Sequence, residues 1–107
     1  MNFKHINYVL TVLTEGSITA ASKKLFVSQP ALSQTIKLIE QDLGAPIFDR
    51  STDPISLTYA GQRYVEAAQA MLDIDRNLRA EIAETKKEVH GRMRVGISSQ
   101  RGIQLLP

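Results

Sequence analysis

Apolar residues between positions 3 and 43 recur every three or four residues in three separate stretches. This spacing places the apolar side chains of each stretch on one side of an α-helix. The first predicted helix covers residues 3–14 and ends at Gly16, because glycine readily adopts the left-handed conformation that closes a helix. Ser17 and Ser28 precede the other two stretches, where a serine hydroxyl can accept a free backbone N–H. The pattern therefore predicts three short helices separated by tight turns.

The third stretch, residues 29–43, divides into an apolar and a polar side. The apolar residues, which we expect to face the interior, are Leu32, Ile36, Ile39 and Leu43. Pro30 fits the first turn because its missing N–H would have no intrahelical partner there. In the helix before it, Leu25 and Phe26 are expected to supply the apolar end. Two closely joined helices, the second with a free polar side, are typical of a helix-turn-helix that presents one helix to DNA.

The pattern changes after residue 44. Two short apolar runs flank the polar segment 51–54, which predicts a β-hairpin, and a hairpin placed after three helices is a wing. Thr58 can then cap a long helix that reaches about Val89. This helix carries a narrow, approximately heptad apolar stripe that needs a partner helix, most simply that of a second copy. The residues predicted to form this dimer contact are Tyr64, Ala68, Met71, Leu78 and Ile82.

The predicted fold is thus mainly α: a winged helix-turn-helix of three helices plus a β-hairpin wing, followed by a long dimerisation helix. The composition offers little for catalysis. Cysteine is absent, which excludes disulfides and thiolate metal sites, and the only histidines, His5 and His90, have no nucleophile or metal partner near them in sequence. No apolar run approaches the roughly 20 residues of a membrane span, and the N-terminus lacks a signal-peptide apolar stretch. We expect a cytoplasmic protein that is not an enzyme and has no metal or cofactor.

The charge distribution argues against simple electrostatic attraction to nucleic acid. The chain has a net charge of +2, but residues 1–58 hold five basic and five acidic side chains. If this part binds DNA, its charges must be sorted by face, and dimerisation must double the contacts. The neutral balance also leaves an alternative open: an oligomerisation module with weak or lost DNA specificity.

The polar side of the third predicted helix suits the reading of base edges. Gln29, Ser33 and Gln34 are the predicted base contacts, followed by Lys37, because glutamine can pair with adenine and lysine can reach guanine or phosphate. Ser28 and the free N–H groups at the helix start can hold a phosphate. Further predicted phosphate contacts are Lys23 and Lys24 on the second helix and Arg50 at the base of the wing.

A longer set of segments matches a known family. It comprises Glu15-Gly16-Ser17, Ala20-Ala21, Leu25, Val27-Ser28-Gln29-Pro30-Ala31-Leu32-Ser33, Ile36, Glu40, Leu43-Gly44, Phe48-Asp49-Arg50 and Leu57-Thr58-Tyr59-Ala60-Gly61. In these segments the chain resembles the N-terminal part of LysR-type transcriptional regulators of bacteria. The resemblance as a whole covers residues 1 to about 98.

The resemblance implies a division of the chain. Residues 1–58 would be the DNA-binding winged helix-turn-helix, residues 59–89 a linker helix that dimerises, and residues 90–107 a hinge and the first strand of an effector-binding domain that is otherwise missing. The base-reading positions of the family map to Gln29, Pro30, Ser33 and Gln34. The implied partners are double-stranded DNA with an interrupted inverted repeat and a second copy of the chain, with a tetramer possible for the full-length protein. A small-molecule inducer is implied only for the missing domain.

Two departures from the family pattern affect the expected DNA contacts. Gln34 stands where the family often has arginine, which favours adenine over guanine at that position. The tip of the wing is usually basic in the family, whereas here it reads Ser51-Thr52-Asp53-Pro54. Asp53 would repel a phosphate, so the wing tip is a poor candidate for minor-groove contact.

Overall fold

The computed structural model describes residues 1–92, with side chains through residue 86. In chain order its elements are α1 (Phe3–Glu15), α2 (Ile18–Leu25), α3 (Gln29–Leu43), β1 (Phe48–Asp49), β2 (Ser56–Leu57) and α4 (Tyr59–Arg92). The two strands form one antiparallel sheet. The prediction of a mainly α winged helix-turn-helix followed by a long helix is therefore confirmed.

Short polar side chains begin the helices where the sequence predicts caps. The hydroxyls of Ser17 and Ser28 each accept the backbone N–H three residues further on, with N···O distances of 3.0 and 3.2 Å. Thr58 does the same at the start of α4, at 2.9 Å. Helices α1 and α3 end at Gly16 and Gly44, whose φ angles of 84° and 90° lie in the left-handed region. These caps leave only short connections between α1, α2 and α3.

The first of two compact units in the chain is Met1–Gln69, and its core is built from all three short helices, the wing and the start of α4. Its buried apolar residues are Ile6, Val9, Val12, Ala21, Leu32, Ile36, Ile39, Ile47, Phe48, Tyr64 and Ala68. Each large side chain in this set contributes about 1.5–3 kcal/mol by leaving water. Because Leu32, Ile36 and Ile39 all point into this core, the rotation of α3 about its own axis is fixed.

Two residues expected in the interior are exposed instead. Phe26 is 94% exposed, so the prediction that it supplies an apolar end of α2 is wrong. It lies just after the helix, and its left-handed φ of 59° turns the side chain into solvent. Leu43 is 43% exposed, because it is the last residue of α3 and the chain turns away at Gly44.

The wing is a short hairpin fastened to the rest of the unit at both ends. Phe48 pairs with Leu57 and Asp49 with Ser56. At the tip, the N–H of Ile55 donates to the carbonyl oxygen of Gly16 at the end of α1, with an N···O distance of 2.9 Å. The predicted hairpin is confirmed, and its turn is held against α1 rather than left as a free loop.

Helix α4 belongs to two compact units. The first unit, Met1–Gln69, includes the opening turns of α4, and the second begins at Ala70. The first unit therefore extends beyond the sequence-based boundary at residue 58, because Tyr64 and Ala68 are buried in its core. The helix also continues three residues past Val89, to Arg92, and the predicted strand beyond it lies outside the described residues. Through residue 92, no helix has the length and apolarity needed to cross a membrane.

Candidate nucleic-acid interface

The side of α3 turned away from the core carries all five predicted base-reading residues. Gln29, Pro30, Gln34 and Lys37 are exposed, and Ser33 is partly exposed. The opposite side of the same helix is the buried row of Leu32, Ile36 and Ile39. Since helical positions three and four apart share a side, the structure gathers the five polar-side residues on one surface of α3.

The start of α3 combines a cap with free polar groups. The Ser28 hydroxyl accepts the N–H of Ala31, but its own hydrogen remains able to donate to an anion. Ser28 is exposed, and the adjoining N–H groups of the first turn lie at the positive end of the helix dipole. This end of α3 is therefore suited to a phosphate oxygen.

The predicted phosphate-binding cations are accessible on two other elements. Lys23 and Lys24 occupy the last turn of α2, where the negative end of the helix dipole stabilises positive charge, and both are exposed. Arg50 follows β1 and its side chain is 46% exposed. Its Nη2 lies 3.7 Å from Oε1 of Glu40, a carboxylate on α3.

Sequence reasoning did not single out Glu40 as a site residue. Its carboxylate accepts backbone N–H groups of Ile47 and Phe48 at 2.8 and 3.3 Å, so it joins α3 to the wing. The sequence does show that Glu40 lies four residues before Gly44, at the C-terminal end of a helix that leads directly into the wing. That position alone does not reveal where the side chain turns.

The wing tip is organised by its own polar side chains. Oδ1 of Asp49 accepts both the N–H and the hydroxyl of Ser51, at 3.0 and 2.6 Å. These hydrogen bonds hold the pKa of the Asp49 carboxyl below its usual value. The Thr52 hydroxyl reaches the carbonyl oxygens of Asp49 and Pro54. The tip therefore presents a fixed turn, with Asp53 exposed on it.

Two residues of the predicted dimer stripe are not available to a second copy. Tyr64 is 5% exposed and Ala68 is fully buried, so their assignment to the dimer contact is wrong. The first turns of α4 use this side of the helix to complete the core of the first unit. Burial raises the pKa of Tyr64, and its hydroxyl has no hydrogen-bond partner among the residues whose side chains are described.

Further along α4, in the second unit, the stripe is accessible. Leu78 and Ile82 are 54% and 50% exposed, and Met71 is partly exposed. Ile74, which the heptad spacing did not include, is 68% exposed. This part of α4 therefore carries several large apolar side chains in contact with water, which is unusual for a helix that works alone.

The described residues include no cluster of three or more histidine, cysteine, aspartate or glutamate side chains placed to hold a metal ion. The polar groups of α3 are spread along an exposed surface and have no nucleophile–base pair among them. Such a surface suits recognition of an extended partner.

Three helices with a capped, exposed third helix and a following hairpin define a winged helix-turn-helix protein. Residues 3–62 match the sequence profile of the family described as "Bacterial regulatory helix-turn-helix protein, lysR family". The chain belongs to this LysR family, as the resemblance in the sequence indicates.

Known members of the family match most of this chain. The transcriptional regulator MetR of Haemophilus influenzae is 31% identical over 97 residues, covering 91% of this chain and 31% of MetR. The regulator ClcR of Pseudomonas putida is 32% identical over 107 residues, covering 100% of this chain and 36% of ClcR. The chain thus spans about a third of the length of these relatives.

Several solved structures also resemble this chain in fold, at a similar sequence identity. Full-length LysG from Corynebacterium glutamicum with bound effector Arg superposes with a TM-score of 0.72 at 32% identity, covering 82% of this chain and 30% of LysG. The DNA-binding domain of BenM bound to benA site 1 DNA gives 0.68 at 30% identity, covering 86% of this chain and 100% of that domain. The CbnR DNA-binding domain in complex with DNA gives 0.69 at 31% identity, covering 80% and 99%.

Proposed function

We propose that this chain is the sequence-specific, double-stranded-DNA-binding part of a dimeric bacterial transcription regulator of LysR type. The observation that carries the proposal is the exposed polar surface of α3, which the core fixes in one rotation about the helix axis. The structural similarity to the BenM and CbnR domains, both solved with DNA, supports it. In this proposal α3 enters the major groove.

Each side chain on that surface has a distinct chemical use. The amides of Gln29 and Gln34 can pair bidentately with adenine, and the Ser33 hydroxyl can donate or accept. Pro30 offers apolar surface to a thymine methyl group, and Lys37 reaches guanine or a nearby phosphate. With glutamine rather than arginine at position 34, we expect adenine to be preferred over guanine there.

Phosphate contacts would fix the position of the domain on the duplex. Ser28 and the start of α3 supply neutral donors, whereas Lys23, Lys24 and Arg50 supply charge. These contacts carry no sequence information directly, but they contribute affinity that falls as salt is added.

The exposed apolar residues of α4 support pairing of two copies through this helix. Leu78, Ile82, Met71 and the additional Ile74 would be covered in such a dimer. Two copies of α3 would then enter successive major grooves about 34 Å apart, on an interrupted inverted repeat. In the full-length protein, which would act in the bacterial cytoplasm, a further domain would bind a small-molecule inducer, and the effector-bound LysG structure supports this part of the proposal. The same domain would permit a tetramer.

Two observations favour a second function. Residues 1–58 carry no net charge, and Asp53 lies exposed at the wing tip. A module that retains dimerisation but has lost DNA specificity would have these properties. Competition between a selected duplex and its scrambled sequence at one salt concentration separates the two functions, because a module without specificity binds both equally.

Selection of duplexes from a random-sequence pool tests the main proposal. The unaltered chain should enrich an inverted repeat, and Gln34→Ala should weaken binding to it by about 1–3 kcal/mol while relaxing the preference at one base pair of each half-site. Gln69→Ala is the matched control, since Gln69 is an exposed glutamine on α4. Lys24→Ala should instead weaken all sequences about equally. An unchanged base preference in Gln34→Ala would contradict the assignment of α3 as the reading helix.

A further inference from the structure

Glu40 accepts most of the backbone N–H groups in the connection between α3 and the wing. Its main-chain carbonyl and its side-chain Oε2 each accept two backbone N–H groups. The donors and N···O distances are Gly44 at 2.9 Å and Ala45 at 3.2 Å to the carbonyl, and Ile47 at 2.8 Å and Phe48 at 3.3 Å to Oε2. Because Pro46 has no N–H, Glu40 accepts every backbone N–H between residues 44 and 48.

The other carboxylate oxygen faces the cation of the wing. Oε1 of Glu40 lies 3.7 Å from Nη2 of Arg50, which is too far for a hydrogen bond but close enough for a direct charge attraction. The Glu40 side chain is 16% exposed and that of Arg50 is 46% exposed. Arg50 is therefore drawn to a fixed anion while its N–H donors remain available to a second acceptor.

This arrangement has a consequence for binding. A long, exposed arginine normally loses conformational freedom when it contacts a phosphate, and that loss weakens binding. Here two backbone amides hydrogen-bond to the carboxylate, and the carboxylate attracts the guanidinium before any ligand arrives. Glu40 is part of α3, so the position of Arg50 at the wing is tied to the helix proposed to read bases.

We propose that Glu40 is a positioning residue that holds the Arg50 guanidinium at the wing base for a DNA backbone phosphate. The inference rests on the proposed function of α3 and the wing. It predicts that the negative charge of Glu40 strengthens DNA binding, although a carboxylate near a phosphate would ordinarily weaken it.

A double-mutant cycle on the full chain tests this coupling. The variants are Glu40→Gln, Arg50→Gln and the two combined, and the probe is a duplex enriched from a random-sequence pool by the unaltered chain. Glutamine keeps a side-chain carbonyl oxygen for the amides of Ile47 and Phe48 but has no charge for Arg50. Asp42→Asn is the matched control, because it removes an exposed carboxylate from the same helix.

Glu40→Gln should reduce affinity roughly threefold to tenfold at fixed salt, the range expected when one side chain loses its ordering. Arg50→Gln should then cost less in the Glu40→Gln background than in the unaltered chain, and Asp42→Asn should not weaken binding. Unchanged or tighter binding by Glu40→Gln, or additive effects of the two changes, would overturn the inference. Melting temperatures of all variants show whether any loss comes from unfolding.

A second measurement needs no variant. Nitrogen-15 relaxation of the Arg50 Nε–H group in the DNA-free chain should give an order parameter above about 0.6, the limit below which a group counts as flexible. A lower value would overturn the inference even if Glu40→Gln failed to fold. If the unaltered chain enriched no duplex, the proposed function would fail, whereas DNA binding with additive variants would reject only the role of Glu40.

Discussion

Gly61, in the first turn of α4, lies close to the backbone of Ile47, the residue that precedes the first strand of the wing. A Cβ atom at this position would lie 2.0 Å from the carbonyl oxygen of Ile47 and 2.9 Å from its carbonyl carbon. That carbonyl also accepts the N–H of Thr58 at 3.0 Å. Because the obstructing atoms are backbone, no side-chain rotation can make room, and Gly61→Ala must move α4 away from the wing.

The expected destabilisation follows from three contributions. Overpacking costs about 1–3 kcal/mol, and a backbone clash belongs at the upper end of this range. Weakening the hydrogen bond from Thr58 adds about 1 kcal/mol. Alanine regains roughly 1 kcal/mol over glycine within a helix. The net loss is about 3 kcal/mol, which corresponds to a fall of roughly 10–20 °C in melting temperature for a domain of this size.

Thermal and urea unfolding followed by circular dichroism measure this loss, at one protein concentration because association affects apparent stability. Gly44→Ala is the matched control. Its new Cβ would meet no atom within 4 Å, and only the φ of 90° opposes it, at a cost of about 1–2 kcal/mol. If Gly61→Ala were as stable as Gly44→Ala, the close approach of α4 to the wing would be refuted.

Three other substitutions have defined outcomes. Tyr64→Phe should raise the free energy of unfolding by about 1 kcal/mol in urea titrations, because it removes a buried hydroxyl that has no partner among the described residues. Burial raises the pKa of Tyr64 above its ordinary 10.0, so the unfolded chain loses this proton more readily and the free energy of unfolding should fall above about pH 10. Tyr64→Phe should reduce that fall, and the same alkaline profile in both proteins would contradict the role of Tyr64. Phe26→Gly should stabilise the chain by roughly 0.5 kcal/mol, because it relieves a left-handed residue that is 94% exposed; a loss of stability would mean that Phe26 packs against something. Leu78→Asp should convert the proposed dimer to a monomer on a sizing column, whereas the neighbouring Asn77→Asp should not. A dimer that survives Leu78→Asp would place the contact elsewhere.

The sequence predicts the elements well where a local chemical reason operates. Ser17, Ser28 and Thr58 begin helices because a hydroxyl there satisfies a free N–H, and the structure contains all three hydrogen bonds. Apart from Leu43 at the helix end, the apolar spacing within residues 29–43 correctly separates a buried side from an exposed one. The predicted base-reading residues are accessible for this reason, although their contacts with DNA remain a prediction.

The errors arise where burial depends on distant parts of the chain. Spacing along α4 cannot reveal that Tyr64 and Ala68 pack within the first unit, because a heptad stripe has the same pattern whether it meets another chain or its own. Phe26 is misassigned because one left-handed residue redirects a side chain that helical spacing would bury. Glu40 escapes notice because its partners lie seven to ten residues away, beyond a turn whose geometry the sequence does not specify.

The neutral balance of residues 1–58 looks unfavourable for DNA binding only while charges are counted without their contacts. Two of the five acidic side chains are engaged by groups of the wing and the segment leading into it: Glu40, on α3, by backbone amides and Arg50, and Asp49 by Ser51. The cations proposed for phosphate contact remain exposed on α2, α3 and the wing. Glu40 and Asp49 therefore help to hold the wing in shape while they cancel positive charge, so removing these two carboxylates to make the region more basic would weaken the surface that the basic residues need.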